Sequence, residues 1–271
     1  MSARQGRIAA AFARARSENR KALVVYLTAG DPDADTSRRL LLAAARAGAD
    51  LLEVGVPWSD PSADGPAIQG AMLRALERGG GLTQTLGICR AVRAENPHVP
   101  MVLFGYANPV FVRGPAAFAG AAADAGVDGI LCVDWPPDEA GELTAHLGKH
   151  GLDFVPLLAP TSNEARIRRI VPAASGFIYY VSITGITGAK LADTEGPRRH
   201  VDQIRAIAGA DLPVAVGFGI STADDVRKVA AFADGVVVGS AAVRVIESAA
   251  AAGRDPVPAL EAFVRELRAA L

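Results

Sequence analysis

Short apolar runs alternate with Ala-, Leu- and Arg-rich amphipathic segments along the whole of this chain. The runs fall at 22–29, 49–57, 100–106, 129–134, 154–159, 177–182, 213–219 and 235–239. Near-continuous apolar strands separated by helical patterns indicate a parallel sheet buried on both faces. The helical patterns include 36–47, 115–125, 138–149 and 222–231. Between the second and third strands the helical material is doubled, with a break at Gly79-Gly80-Gly81. Eight such units in about 250 residues predict an α/β fold, the (β/α)8 or TIM barrel. An extra N-terminal helix is expected over 3–16 and a short extra helix after the eighth strand. No linker-like or low-complexity stretch divides 1–271, so a single barrel domain is expected.

Composition narrows the function. Half of the 271 residues are hydrophobic, enough for a sizeable core. Lys and Arg number 28 against 29 Asp and Glu, so no basic surface argues for nucleic acid or an anionic membrane. The N-terminus is polar and Arg-rich, and no run of about 18 apolar residues occurs, so a soluble, cytoplasmic protein is expected. Cys89 and Cys132 are isolated and read as buried thiols in a reducing compartment. His98, His146, His150 and His200 fall away from the strand ends and read as solvated or capping residues. No His/Cys/carboxylate group has metal-ligand spacing, so no metal is expected. None of the four lysines, Lys21, Lys149, Lys190 and Lys228, lies within an expected strand, which disfavours a Schiff base. Carboxylates remain as the proton carriers.

Two of them stand out in the stretch 51–66. Glu53 interrupts an apolar β-branched run, and Asp64 follows in a loop braced by proline and glycine. Burying an ionised carboxylate without a partner costs several kcal/mol or forces its pKa upward. A sequence selected for stability alone would carry Val or Leu at 53. The pair therefore suggests general acid/base chemistry at the C-terminal face of the barrel, where active sites of this fold gather.

The last quarter suggests an anion site. Gly217-Phe218-Gly219 ends the seventh strand, and Gly239-Ser240 ends the eighth and opens a helix. Glycines let backbone amides approach a ligand, and a helix N-terminus adds positive potential. Alone, Gly-Phe-Gly reads equally as a turn; its pairing with Gly239-Ser240 favours phosphate. Residues 179–193 run from a strand into a Gly/Thr-rich loop that reads as a lid or as a mobile surface segment.

These residues carry a resemblance. The Leu-Glu-Val-Gly-Val-Pro run around Glu53, Ser59-Asp60-Pro61 and Ala63-Asp64-Gly65-Pro66 resemble the signature of the tryptophan synthase α subunit family. The match continues through Gly105-Tyr106-Ala107-Asn108-Pro109, Tyr179-Tyr180-Val181-Ser182, Thr184-Gly185-Ile186-Thr187-Gly188, Gly217-Phe218-Gly219-Ile220 and Gly239-Ser240. The resemblance implies a carbon–carbon lyase that cleaves indole-3-glycerol phosphate to indole and glyceraldehyde 3-phosphate. It implies Glu53 as general acid/base, Asp64 facing the indole N–H, and Tyr179 lining the site near Glu53. Tyr26, Phe104, Tyr106 and Phe218 would wall the indole. Thr187 would close over Asp64, and Gly188, Gly219, Gly239 and Ser240 would surround the phosphate.

The family further implies an α2β2 heterotetramer, with Pro57, Asp60, Asn108 and Pro136 in segments facing a β subunit that holds pyridoxal phosphate. No cofactor is expected in this chain. As plain sequence, Asp60-Pro61 is a turn initiator, and Asn108-Pro109 and Pro136-Pro137 are loop punctuation. Three positions depart from the family: Tyr26 stands where many members carry Phe, Ile183 where some carry Arg, and Trp135 is unusual. A free-standing lyase and a catalytically silent regulatory barrel are the alternative functions.

Overall fold

The computed structural model describes residues 6–136, 139–181, 194–217 and 219–271. Its strands are β1 (Ala22–Thr28), β2 (Leu51–Gly55), β3 (Met101–Gly105), β4 (Gly129–Cys132), β5 (Asp153–Phe154), β6 (Leu157–Leu158), β7 (Ile178–Val181), β8 (Val214–Gly217) and β9 (Gly235–Val238). Every pairing is parallel, in the order β5-β4-β3-β2-β1-β9-β8-β7-β6.

The nine pieces are eight barrel strands, because the expected fifth strand is interrupted at Val155-Pro156. Proline has no N–H to give the ladder. The stretch still joins both neighbours: the Val155 N–H donates to the Ile130 carbonyl at 2.9 Å, and the Pro156 carbonyl accepts from the Tyr179 N–H at 3.0 Å. The two ends of the sheet are thus one run of chain, and the barrel closes.

The helices are α1 (Arg7–Ser17), α2 (Ala34–Ala47), α3 (Pro66–Glu77), α4 (Leu82–Glu95), α5 (Ala107–Arg113), α6 (Pro115–Asp124), α7 (Ala140–Lys149), α8 (Glu164–Ile170), α9 (Glu195–Ala208), α10 (Ala223–Ala230), α11 (Ser240–Ala251) and α12 (Pro256–Arg268). Local chemistry sets several ends. The Asp33 carboxylate caps α2 by accepting from the Thr36 N–H, and Thr222 and Asp225 form a reciprocal capping box on α10. The doubled helix after β2 breaks where Gly79 and Gly81 take φ of 77° and 154°. Asn108-Pro109 is not loop punctuation but the first turn of α5, where a missing N–H is harmless. The helix after the last strand, α11, has 12 residues rather than the short length expected.

Alternate strand residues feed two cores. Leu23, Val25, Leu52, Val54, Leu103, Tyr180 and Val236 pack outward against the helices. Val24, Tyr26, Leu51, Val102, Phe104, Leu131, Tyr179 and Val237 fill the barrel. Helix α1 adds Ile8 and Phe12 to this inner core, and glycines make the room. A Cβ at Gly129 would lie 3.0 Å from Ile8, and one at Gly235 3.0 Å from Phe12. Both cysteines are buried free thiols. His200 lies inside α9 and stacks on Tyr180 with ring centroids 5.7 Å apart, a packing contact beyond the solvated or capping role expected.

Buried ion pairs brace the N-terminal ends of the strands. Asp50 receives Arg20 at 2.6 and 2.8 Å and the Leu23 N–H at 3.0 Å. Asp128 receives Arg93 at 2.6 Å, Arg7 at 2.8 Å and the Met101 N–H at 2.8 Å. Removing one partner of such a buried cluster leaves the others uncompensated. Asp50→Ala should therefore lower stability by about 3 kcal/mol, read as a lower urea midpoint at unchanged slope.

Candidate active site

Glu53 lies midway along β2 and is 1% exposed. Its register partners, Tyr26 on β1 and Val102 on β3, both belong to the inner core, so parallel pairing places the carboxylate inside the barrel. Its Oε1 finds no hydrogen-bond partner among the described residues. Burial alone pushes the Glu53 carboxyl up to about 8.

Asp64 sits on the loop between β2 and α3 and is also buried. The loop is tied internally: the Asp64 N–H donates to the Pro61 carbonyl at 3.0 Å, and Gln69 Nε2 donates to the Asp64 carbonyl at 2.7 Å. The Tyr106 hydroxyl donates to Asp64 Oδ2 at 2.7 Å and accepts from the Ala63 N–H at 3.1 Å. Burial raises the Asp64 carboxyl and the Tyr106 bond pulls it back, leaving it at about 6.

Aromatic residues enclose the pair. Tyr26 and Phe104 meet edge to face with centroids 5.2 Å apart. The Tyr26 and Thr28 hydroxyls lie 3.2 Å apart. Burial raises the phenols of Tyr26 and Tyr179 well above their ordinary value, and both carboxylates add to it. Two glycines admit the phenols: a Cβ at Gly55 would collide with the Tyr26 hydroxyl, and one at Gly217 with that of Tyr179.

Backbone donors without helical partners lie at the start of α11. The first amide bonded within α11 is that of Val243, to the Gly239 carbonyl at 3.1 Å. The N–H groups of Ser240, Ala241 and Ala242 thus have no partner within the helix, and no side chain caps it. Gly239, Ser240 and Gly219, the last at φ 77°, are all half-buried.

The structure thus brings together Glu53, Asp64, Tyr26, Phe104, Tyr106 and Tyr179, with Gly219, Gly239 and Ser240 at the ends of β8 and β9. Thr187, Gly188 and Phe218 lie outside the described residues, as do Ser182, Ile183 and the rest of the expected lid. Asp60, Asn108 and Pro136 are exposed on the loops after β2, β3 and β4, whereas Pro57 is buried. Sequence reading missed Arg74, which forks onto Asp31 at 2.8 and 2.9 Å and reaches Glu247 of α11 at 3.0 Å. Only an arginine on the inward side of α3 could have signalled it.

A closed (β/α)8 barrel with a buried carboxylate pair beneath its C-terminal loops defines a TIM-barrel enzyme. Comparison with known proteins gives the particular family. The family described as tryptophan synthase alpha chain matches residues 12–271. The tryptophan synthase alpha chain of Thioalkalivibrio sulfidiphilus is 50% identical over 263 residues, 96% of this chain and 98% of that one. That of Zymomonas mobilis is 46% identical over 265 residues, covering 98% and 96%. The crystal structure of tryptophan synthase subunit alpha from Legionella pneumophila superposes with a TM-score of 0.91 at 37% identity, covering 98% of each chain. Tryptophan synthase from Mycobacterium tuberculosis, in its aminoacrylate-bound form, gives 0.87 at 35% identity over 98% and 99%. The chain belongs to the tryptophan synthase alpha chain family, and it is a lyase of amino-acid biosynthesis.

The raised Glu53 carboxyl makes stability depend on pH. Because the folded protein holds this proton more tightly than the unfolded chain, its stabilisation is full below about 4.5 and is lost as pH rises to about 8. Glu53→Gln should therefore be more stable than the wild type above pH 8, by on the order of a few kcal/mol. The gain should vanish towards pH 4.5, as urea midpoints at a series of pH values would show.

Proposed function

We propose that this chain cleaves indole-3-glycerol phosphate to indole and glyceraldehyde 3-phosphate with Glu53 as the general acid/base and Asp64 as the electrostatic partner. The observation that carries the assignment is a pair of buried carboxyls in unlike settings. Glu53 has an oxygen with no partner among the described residues, and Asp64 accepts from the Tyr106 hydroxyl. In line with this, the first is raised to about 8 and the second to about 6. At neutral pH Glu53 holds a proton and Asp64 is mostly an anion, which sorts acid from charge stabiliser.

The chemistry needs both. Glu53 delivers its proton to indole C3, and the resulting cationic ring becomes the electron sink for the breaking carbon–carbon bond. Glu53, now a carboxylate, takes the proton from the glycerol hydroxyl as the aldehyde forms, which restores its starting state. Asp64 faces the indole N–H and stabilises the positive charge that develops there, an interaction strongest in the transition state. Tyr179 lines the site beside Glu53, while Tyr26, Phe104 and Tyr106 wall the indole. The amides at Ser240 and Gly219 receive the phosphate.

The partner in this reading is a tryptophan synthase β subunit that takes up the indole. Asp60, Asn108 and Pro136 follow three adjacent strands, and exposed apolar side chains accompany them. Leu73 is 58% exposed beside Trp58, along a groove of about 500 Å³. Phe111 is 54% and Val112 82% exposed on α5, and Phe111 stacks on Trp135 with centroids 4.4 Å apart. Grouped exposed apolar residues of this kind fit a protein partner.

The deciding assay measures indole release from indole-3-glycerol phosphate by the purified chain, alone and with a β subunit. Weak activity that rises steeply with the partner is expected; full activity alone would favour a free-standing lyase, and none in either condition a silent barrel. In the active complex, Glu53→Gln should lower kcat by between about 10²- and 10⁴-fold while substrate still binds; near-normal turnover would remove Glu53 from the mechanism. Ser240→Asp places a negative charge where helices tolerate it but phosphate does not. Its KM should rise at least about tenfold, with an unchanged melting temperature.

A further inference from the structure

We propose that Tyr106 is the positioning residue for Asp64, its hydroxyl fastening the carboxylate and the loop backbone to the end of β3 in the orientation that cleavage uses. The inference rests on the function proposed above and extends it to a group assigned there only to the pocket wall.

The geometry is specific. A phenol has one proton to give, and Tyr106 gives it to Asp64 Oδ2 at 2.7 Å. The same oxygen accepts the N–H of Ala63, the preceding loop residue, at 3.1 Å. One hydroxyl therefore fixes the side chain of Asp64 and the backbone leading into it. Tyr106 is itself immobilised: it is 3% exposed, follows β3 directly and precedes the first residue of α5. The next amide, that of Ala107, donates to Asp134 Oδ1 at 2.7 Å, which secures the start of α5 to the loop after β4. A loop carboxylate thereby gains the rigidity of two strand ends.

The contact also acts on charge. The Asp64 charge acts on Tyr106 after β3, Tyr26 on β1 and Tyr179 on β7, and the buried Glu53 on β2 acts on the latter two phenols as well. Asp134 adds to the field at Tyr106. No cation is among these groups. Burial raises the Asp64 carboxyl, and the Tyr106 hydrogen bond opposes that rise. Deleting the hydroxyl frees the loop and protonates Asp64 at higher pH, so the acidic limb of the kcat–pH profile moves up.

Two variants with opposite expected signs test this in the complex with a β subunit. Tyr106→Phe should lower kcat at least about tenfold, leave KM within about twofold, and move the acidic limb up by about one pH unit. Replacing Tyr106 with 3-fluorotyrosine keeps shape and hydroxyl but strengthens donation, and should move the limb down. The carboxyl titration of Asp64, followed by carbon-13 NMR in the chain alone, should shift in the same two directions. A kcat and a limb that stay put in Tyr106→Phe, or an Asp64 titration indifferent to both replacements, would overturn the positioning role. If the wild type fails to cleave indole-3-glycerol phosphate, the function beneath is wrong, and the NMR titration still decides the contact with Asp64.

Discussion

A carboxylic acid inside a closed apolar barrel is the constraint on which the rest of this site depends. Glu53 is 1% exposed and has one oxygen without a partner among the described residues. An ionised carboxylate there is penalised by lost hydration, so the folded chain favours the neutral acid. A proton held at neutral pH is what protonation of carbon requires. In the function proposed here the destabilising feature and the reactive one are the same feature, and more than fifty buried hydrophobic side chains hold the barrel around it.

The scaffold supports that placement by backbone geometry and by ion pairs kept elsewhere. Register sets Tyr26 and Val102 on either side of Glu53, so its burial follows from strand pairing rather than from any bond to the carboxylate. Gly55 and Gly217 leave room for two phenols whose rings would otherwise have to turn out of the barrel. The charged clusters, Asp50 with Arg20 and Asp128 with Arg93, lie at the opposite ends of the strands. Asp31 and Arg74 provide the counterpart near the site, joining the loop after β1 to α3, and through Glu247 to α11. One guanidinium thus ties the helix that follows the Asp64 loop to α11, whose first amides have no partner within the helix.

The architecture was legible because strands buried on both faces write their positions as apolar runs. Seven of the eight barrel strands fall within the expected ranges; the fifth begins one residue early, at Asp153, and splits where Pro156 cannot donate. Glu53 and Asp64 were visible for the inverse reason, polar residues where burial or rigidity was expected. Helix α5 was hidden, since Asn-Pro is turn chemistry locally and only the structure shows Pro109 in a first helical turn. Asp134 as the acceptor for α5, and Tyr106 as the donor to Asp64, depend on contacts 27 and 42 residues apart. No local pattern encodes such pairs. His200 illustrates the same limit: its partner Tyr180 is reached only when α9 folds back on the outer face of β7.

The two acids differ because one is built into a strand and the other into a loop. A strand residue inside the barrel cannot recruit backbone donors, since its neighbours' amides are committed to the ladder. Glu53 is therefore raised by burial alone. A loop residue can be met by a side chain from the next strand end, and Tyr106 meets Asp64. The same chemical group thereby meets two electrostatic settings, one raised by burial alone and one raised by burial but pulled back by a hydrogen bond. The separation follows from where the chain is regular and where it turns.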